Sequence, residues 1–157
     1  MRNLIIAFVL IALCLAGGKI RLNPVQETGD GPAASEAAQG VSLDEYLASV
    51  REQSDAIRAS LAKDPLSQTD MNMKSSELRE LWDAALERLM EEAGKALTAE
   101  EMEKLTAEQS AWAEATEKAI EAAGSEFEGG SLYPLIVNTE AADRTEARVL
   151  ELYEQLK

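Results

Sequence analysis

Three places along the chain bring together side chains of types that do chemistry. The adjacent carboxylates Glu91-Glu92 and Glu100-Glu101 are of the kind that hold a cation or share a proton. The run Gly129-Gly130-Ser131 is of the kind that cradles a phosphate with backbone amides. Cys14 is the only thiol. Spacing argues against each. Adjacent residues on a helix point in different directions, so neither glutamate pair converges, and no His-containing di-metal pattern accompanies them. A solvated acidic helix face is the better account. The glycine run is too short and isolated for a phosphate site; it reads as the end of one helix and the start of the next. Histidine is absent. That removes the commonest general base, the commonest metal ligand and every Ser-His or Cys-His nucleophile. The expectation is a chain with no catalytic residues, no metal ligands and no cofactor, working by binding rather than as an enzyme.

Charge narrows the partner. The chain has 157 residues, 15 of them basic and 29 acidic, for a net charge of −14. That balance disfavours nucleic acid and anionic membrane surfaces. It favours a basic protein, because the summed field attracts cations and speeds their encounter. Many lysozymes fit that description. The same acidity also keeps a small protein soluble. With one cysteine, no intramolecular disulfide is available.

The elements that would carry such a surface begin after an N-terminal leader. Met1-Arg2-Asn3 precedes an unbroken apolar run, residues 4–16, and then Gly17-Gly18. One positive charge, a short apolar core and small residues match a secretory signal peptide. A membrane span needs roughly 20 apolar residues, so residues 1–18 are expected to be a signal peptide or a short anchor. Cys14 also invites a lipoprotein reading, but Leu13 stands where a lipobox wants a small residue. Residues 19–41 hold several chain breakers and little to bury, which predicts a disordered linker. Secretion or residence in the cell envelope follows from this leader, with membrane contact only through the N-terminal segment if it is not cleaved.

Residues 42–157 read as four amphipathic helices and no strand. Ser42 with Glu45 forms a capping-box signature. The first helix, with Leu43, Tyr46, Leu47, Val50, Ile57 and Leu61 on one face diluted by Ser54, should end before Asp64-Pro65. The second begins near residues 67–69 and runs to about Leu97. Leu78, Leu81, Trp82, Ala85, Leu86, Leu89, Met90 and Ala93 make its stripe. Thr98 with Glu101 is another capping box. It opens a third helix with Met102, Leu105, Gln109, Trp112, Thr116 and Ala119 on one face. Both tryptophans are expected in the core. Gly124 and Gly129-Gly130 should close that helix through the left-handed conformation. Ser131 is expected to cap the last helix, with Pro134 in its first turn and Leu135, Ala142, Thr145, Val149, Leu152 and Leu156 inward. The fold class is therefore all-α, an antiparallel bundle of about four helices.

A spaced set of residues adds a further pointer. Gln68, Met71-Asn72, Asp83 and Leu86 are followed by Leu105, Gln109 and Trp112. Gly129-Gly130-Ser131, Pro134, Thr145 and Arg148 complete the set. In order and spacing this resembles the LprI-like lysozyme-inhibitor family of small secreted or envelope helical domains, over roughly residues 66–156. Cysteines usual in that family fall at Lys74 and near Ile120, so the chain resembles a cysteine-free variant. An asparagine place is filled by Glu87 and a tyrosine place by Met90. The resemblance implies binding and blocking of a lysozyme-type muramidase. The alternative is a structural or adaptor module of the envelope with no enzyme target. The matched residues Gln68, Met71, Asn72, Asp83, Leu86, Leu105, Gln109, Trp112, Gly130, Ser131, Thr145 and Arg148 are expected to be mainly structural. Asp83 and Gln109 lie on or near apolar faces and need partners there. Arg148 is the expected one, in an ion pair with Asp83 between the second and last helices.

Overall fold

The computed structural model describes residues 41–63 and 66–157. The expected leader, residues 1–18, and all but the last residue of the expected linker, 19–41, lie outside the described residues. Residues Asp44–Lys157 form one compact unit, the helical bundle. Its elements are α1 (Leu43–Leu61), α2 (Gln68–Ala96), α3 (Ala99–Gly124), a 3-10 turn (Ser125–Phe127) and α4 (Tyr133–Leu156). No strand occurs among the described residues. No described helix is long and apolar enough to cross a membrane.

Local chemistry explains where the helices start. The side chain of Ser67 accepts from the Asp70 backbone amide, and Asp70 in return receives the Ser67 backbone N–H, closing a capping box. Thr98 and Glu101 do the same for α3. The backbone N–H and hydroxyl of Thr98 both donate to Glu101, and these bonds hold the carboxyl of Glu101 below the usual carboxylate range. Only Leu97 and Thr98 separate α2 from α3, and both are extended. So short a joint turns α3 back along the bundle.

The contacts set the directions. Asn72 meets Ser131 and Asp83 meets Thr145, so α2 and α4 run parallel. They form the most extensive helix contact among the described residues. Small buried residues, Ser75 and Ala85 on α2 and Ala141 and Ala142 on α4, permit that approach. Consecutive helices alternate in direction, as expected for an antiparallel bundle. α3 runs antiparallel to α4, with Gln109 bonded to Arg148 and Gly124 against Val137 and Tyr133. α1 lies against both α2 and α4. It joins α2 through Ser54 and Trp82, and α4 through Arg58 with Asp143 and Glu146. Tyr153 of α4 donates a hydrogen bond to Asp44 near the start of α1.

The α2 stripe is buried as its period predicts, apart from Leu81 and Met90, which stay half-buried. On α4, Val137, Ala141 and Arg148 join the inward side, while Leu135 and Leu156 stay half-buried. Two expectations change at the joints. α3 ends at Gly124 in a right-handed conformation, not a left-handed one. A Cβ at Gly124 would meet Val137 Cγ1 at 2.6 Å and Tyr133 Cε2 at 2.7 Å, so its smallness serves the α3–α4 contact. The left-handed residue is Gly129, at φ 73°, after the 3-10 turn. Ser131 does not cap α4; Leu132 holds that place with no side-chain cap.

Ser54 turns out to be central. It is 2% exposed, and its hydroxyl accepts from Trp82 Nε1 at 3.1 Å. Trp82 is fully buried, so its indole N–H needs a partner inside the protein. The polar gap in the α1 stripe is that partner. Replacing Ser54 by Ala leaves the N–H buried and unpaired, which should cost about 1–3 kcal/mol of stability. A thermal melt of Ser54→Ala superimposed on that of the unaltered protein would show that the bond contributes nothing.

Candidate functional site

Most of the polar residues singled out along the sequence meet in one seam between α2, α4 and α3. At its start Gln68 Nε2 donates to Asn72 Oδ1 at 2.9 Å, and Asn72 Nδ2 donates to the Ser131 carbonyl at 3.1 Å. One turn on, Ser75 Oγ donates to the Asn72 carbonyl and accepts from Asn138 Nδ2 at 3.4 Å. Arg79 lies 3.5 Å from Asn138 Oδ1 and 3.5 Å from Asp83 Oδ2. Thr145 Oγ1 then donates to Asp83 Oδ1 at 3.4 Å. Farther along α4, Arg148 Nε donates to Gln109 Oε1 at 3.0 Å, and its Nη1 pairs with Glu151 at 2.9 Å.

This geometry corrects one pairing. Asp83 and Arg148 do not form an ion pair. Asp83 takes its cation from Arg79, one turn back on its own helix, and its inter-helix bond from Thr145. Arg148 lies one turn beyond Thr145 and reaches across to α3. It is 5% exposed, and a guanidinium keeps its charge when buried. Gln109 and Glu151 therefore stabilise a charge that would otherwise be costly to desolvate.

The other matched residues divide by burial. Leu86 and Leu105 are buried; Met71 is half-buried at the start of α2. Gly130 is exposed, and its N–H donates to the Phe127 carbonyl at 2.9 Å in the turn before α4. Trp112 departs from the expected core position. It is only half-buried, whereas Trp82 is fully enclosed. The reason is that α3 packs closely on α4 alone among the helices, so its inner side is not covered all round. The glutamate pairs do not converge either. Glu92 is bound to Arg88 and Lys95, Glu101 serves the α3 cap, and Glu91 and Glu100 are exposed. No group of three potential metal ligands occurs among the described residues.

Sequence reasoning missed Ser75, Asn138 and Arg79. Ser75 sits three residues before Leu78, in line with the α2 stripe, and that in-line position is the signal it offered. Asn138 and Arg79 gave no comparable mark, because their value lies in facing each other across 59 residues of chain.

The seam has a pH signature. Burial raises the Asp83 carboxyl above the usual aspartate range, and Arg79 and Thr145 oppose that shift. The side chain is still 35% exposed, so solvent moderates the effect. A raised pKa in the folded state means that the folded protein holds this proton more tightly than the unfolded chain. Stability from this group is therefore present at low pH and lost as pH rises through the range just above the ordinary aspartate value. Asp83→Asn should flatten that part of the melting temperature–pH curve. A difference curve between the two proteins that is level across the range would place the titration elsewhere.

Comparison with known proteins agrees with the polar seam in extent. A family model described as lysozyme inhibitor LprI matches residues 59–152, from the last turn of α1 through nearly all of α4. No curated protein and no solved structure matches the chain. Because the matched segment spans more than half of the sequence and takes in α2, α3 and the polar seam, the chain belongs to the LprI lysozyme-inhibitor family.

Proposed function

We propose that the protein is an extracytoplasmic binding protein that blocks a lysozyme-type muramidase by docking on it. The observation that carries this reading is the family match over residues 59–152. Charge and geometry support it. A net charge of −14 creates a field that draws a cationic enzyme and orients the encounter. The polar residues of the seam bond to one another, and this fits action through an outer surface and not through a reactive cleft. Inhibition would follow from shape: a rigid helical module seated over the enzyme's substrate groove excludes the glycan strand. The apolar leader read from residues 4–16 fits delivery to the compartment where such enzymes act.

The test is clearing of a bacterial cell-wall suspension by a cationic lysozyme, with and without the purified protein. It should be run at about 0.01 M and about 0.15 M salt, between which the screening length falls from roughly 30 Å to 8 Å. The expected result is slowed clearing, with the effect weaker at the higher salt. Unchanged clearing with several muramidase types would leave the envelope-adaptor reading in its place.

A further inference from the structure

We propose that the outward face of α3 is the surface on which the cationic enzyme docks. This rests on the function proposed above. α3 has the smallest buried share of the four described helices. It packs closely on α4 alone among the helices, and of its 26 residues only Leu105, Thr116 and Gly124 are buried. Its other side has no close partner among the described residues.

The charges of α3 and the turn after it are organised differently from those of α4. Residues 99–128 hold nine carboxylates and two lysines, half of the chain's net charge of −14. All nine carboxylates are exposed, and none is in an ion pair among the described residues. α4 is the opposite case: Glu140, Asp143, Glu146, Glu151 and Glu154 are each paired with an arginine or lysine. Within α3, Glu114, Glu117 and Glu121 follow at three- and four-residue intervals on the side turned away from Leu105 and Thr116. Like charges at that spacing repel along a helix and weaken it. Lys118 stands at a pairing interval from Glu114 and Glu121 but forms an ion pair with neither, so the ladder keeps a negative excess that a cationic protein would relieve. Carboxylates free of internal partners also keep both oxygens open to arginine forks.

The occupant is therefore a surface rich in arginine and lysine, that of a cationic lysozyme. The full chain is compared with two triple variants of equal charge change. One is Glu114→Gln, Glu117→Gln, Glu121→Gln. The control is Glu52→Gln, Glu87→Gln, Glu91→Gln, at exposed carboxylates of α1 and α2 that are in no ion pair. Inhibition of a cationic lysozyme should weaken about tenfold in the α3 variant at low salt, with a shallower salt dependence, and change less than about threefold in the control. The melting temperature of the α3 variant should not fall, which separates lost docking from lost folding. Equal weakening of both variants, or none in the α3 variant, would overturn the assignment of this face. If the unaltered protein fails to inhibit but binds a cationic non-muramidase through the same three glutamates, the face stands and the enzyme target is overturned.

Discussion

The parallel contact between α2 and α4 is the constraint on which the rest of the bundle depends. Two helices approach closely only where their facing side chains are small or interlock. Ser75, Ala85, Ala141 and Ala142 meet that condition, and all are buried. Parallel neighbours cannot be joined by a short turn, so α3 must run back between them in sequence. That return path is made possible by the two-residue joint at Leu97-Thr98 and by the turn through Gly129. α1 then completes the core by covering Trp82 and bridging to α4. Without Ser54 the largest fully buried side chain would lose its hydrogen-bond partner.

The register of two parallel helices has to be fixed by specific contacts between them. Polar contacts do that work here. A slip of one helical turn between α2 and α4 would part Asn72 from Ser131, Asn138 from Ser75 and Arg79, and Thr145 from Asp83 at once. Each such bond contributes little net stability. Breaking several together inside a half-buried seam leaves groups unsatisfied and is strongly disfavoured. Asn72, Asp83 and Thr145 thus sit where the bundle chooses its alignment. Arg148 extends the same logic to α3, since its buried charge is met by Gln109 only when α3 and α4 are in register.

The two long outer surfaces obey different rules. On α4 the acids are balanced by neighbouring cations, and that face is electrostatically settled. On α3 they are left in excess, and the helix relies on its capping box and its contact with α4 to hold against their repulsion. Half-burial of Trp112 belongs to the same picture, because a helix supported from one side cannot enclose a large ring on the other.

The number of helices, their approximate ends and the burial of Trp82 were legible in the sequence. Apolar spacing and capping residues act within a turn or two of chain, and Thr98-Glu101 closes the capping box its spacing predicts. The family spacing and the excess of acid were equally plain. Tertiary structure alone decided who meets whom. Ser54 reads as a dilution of a stripe until Trp82, 28 residues away, supplies an indole N–H. Asp83 pairs with Arg79 and Thr145 instead of Arg148, because the parallel register of α2 and α4 puts Thr145 opposite it and turns Arg148 toward α3. Gly124 reads as a helix stop, but its missing side chain makes room for Val137 and Tyr133. The physical reason is one of range. Helical periodicity is a property of neighbouring residues, whereas a partner across the bundle is set by how two helices slide and rotate against each other, which depends on every side chain between them.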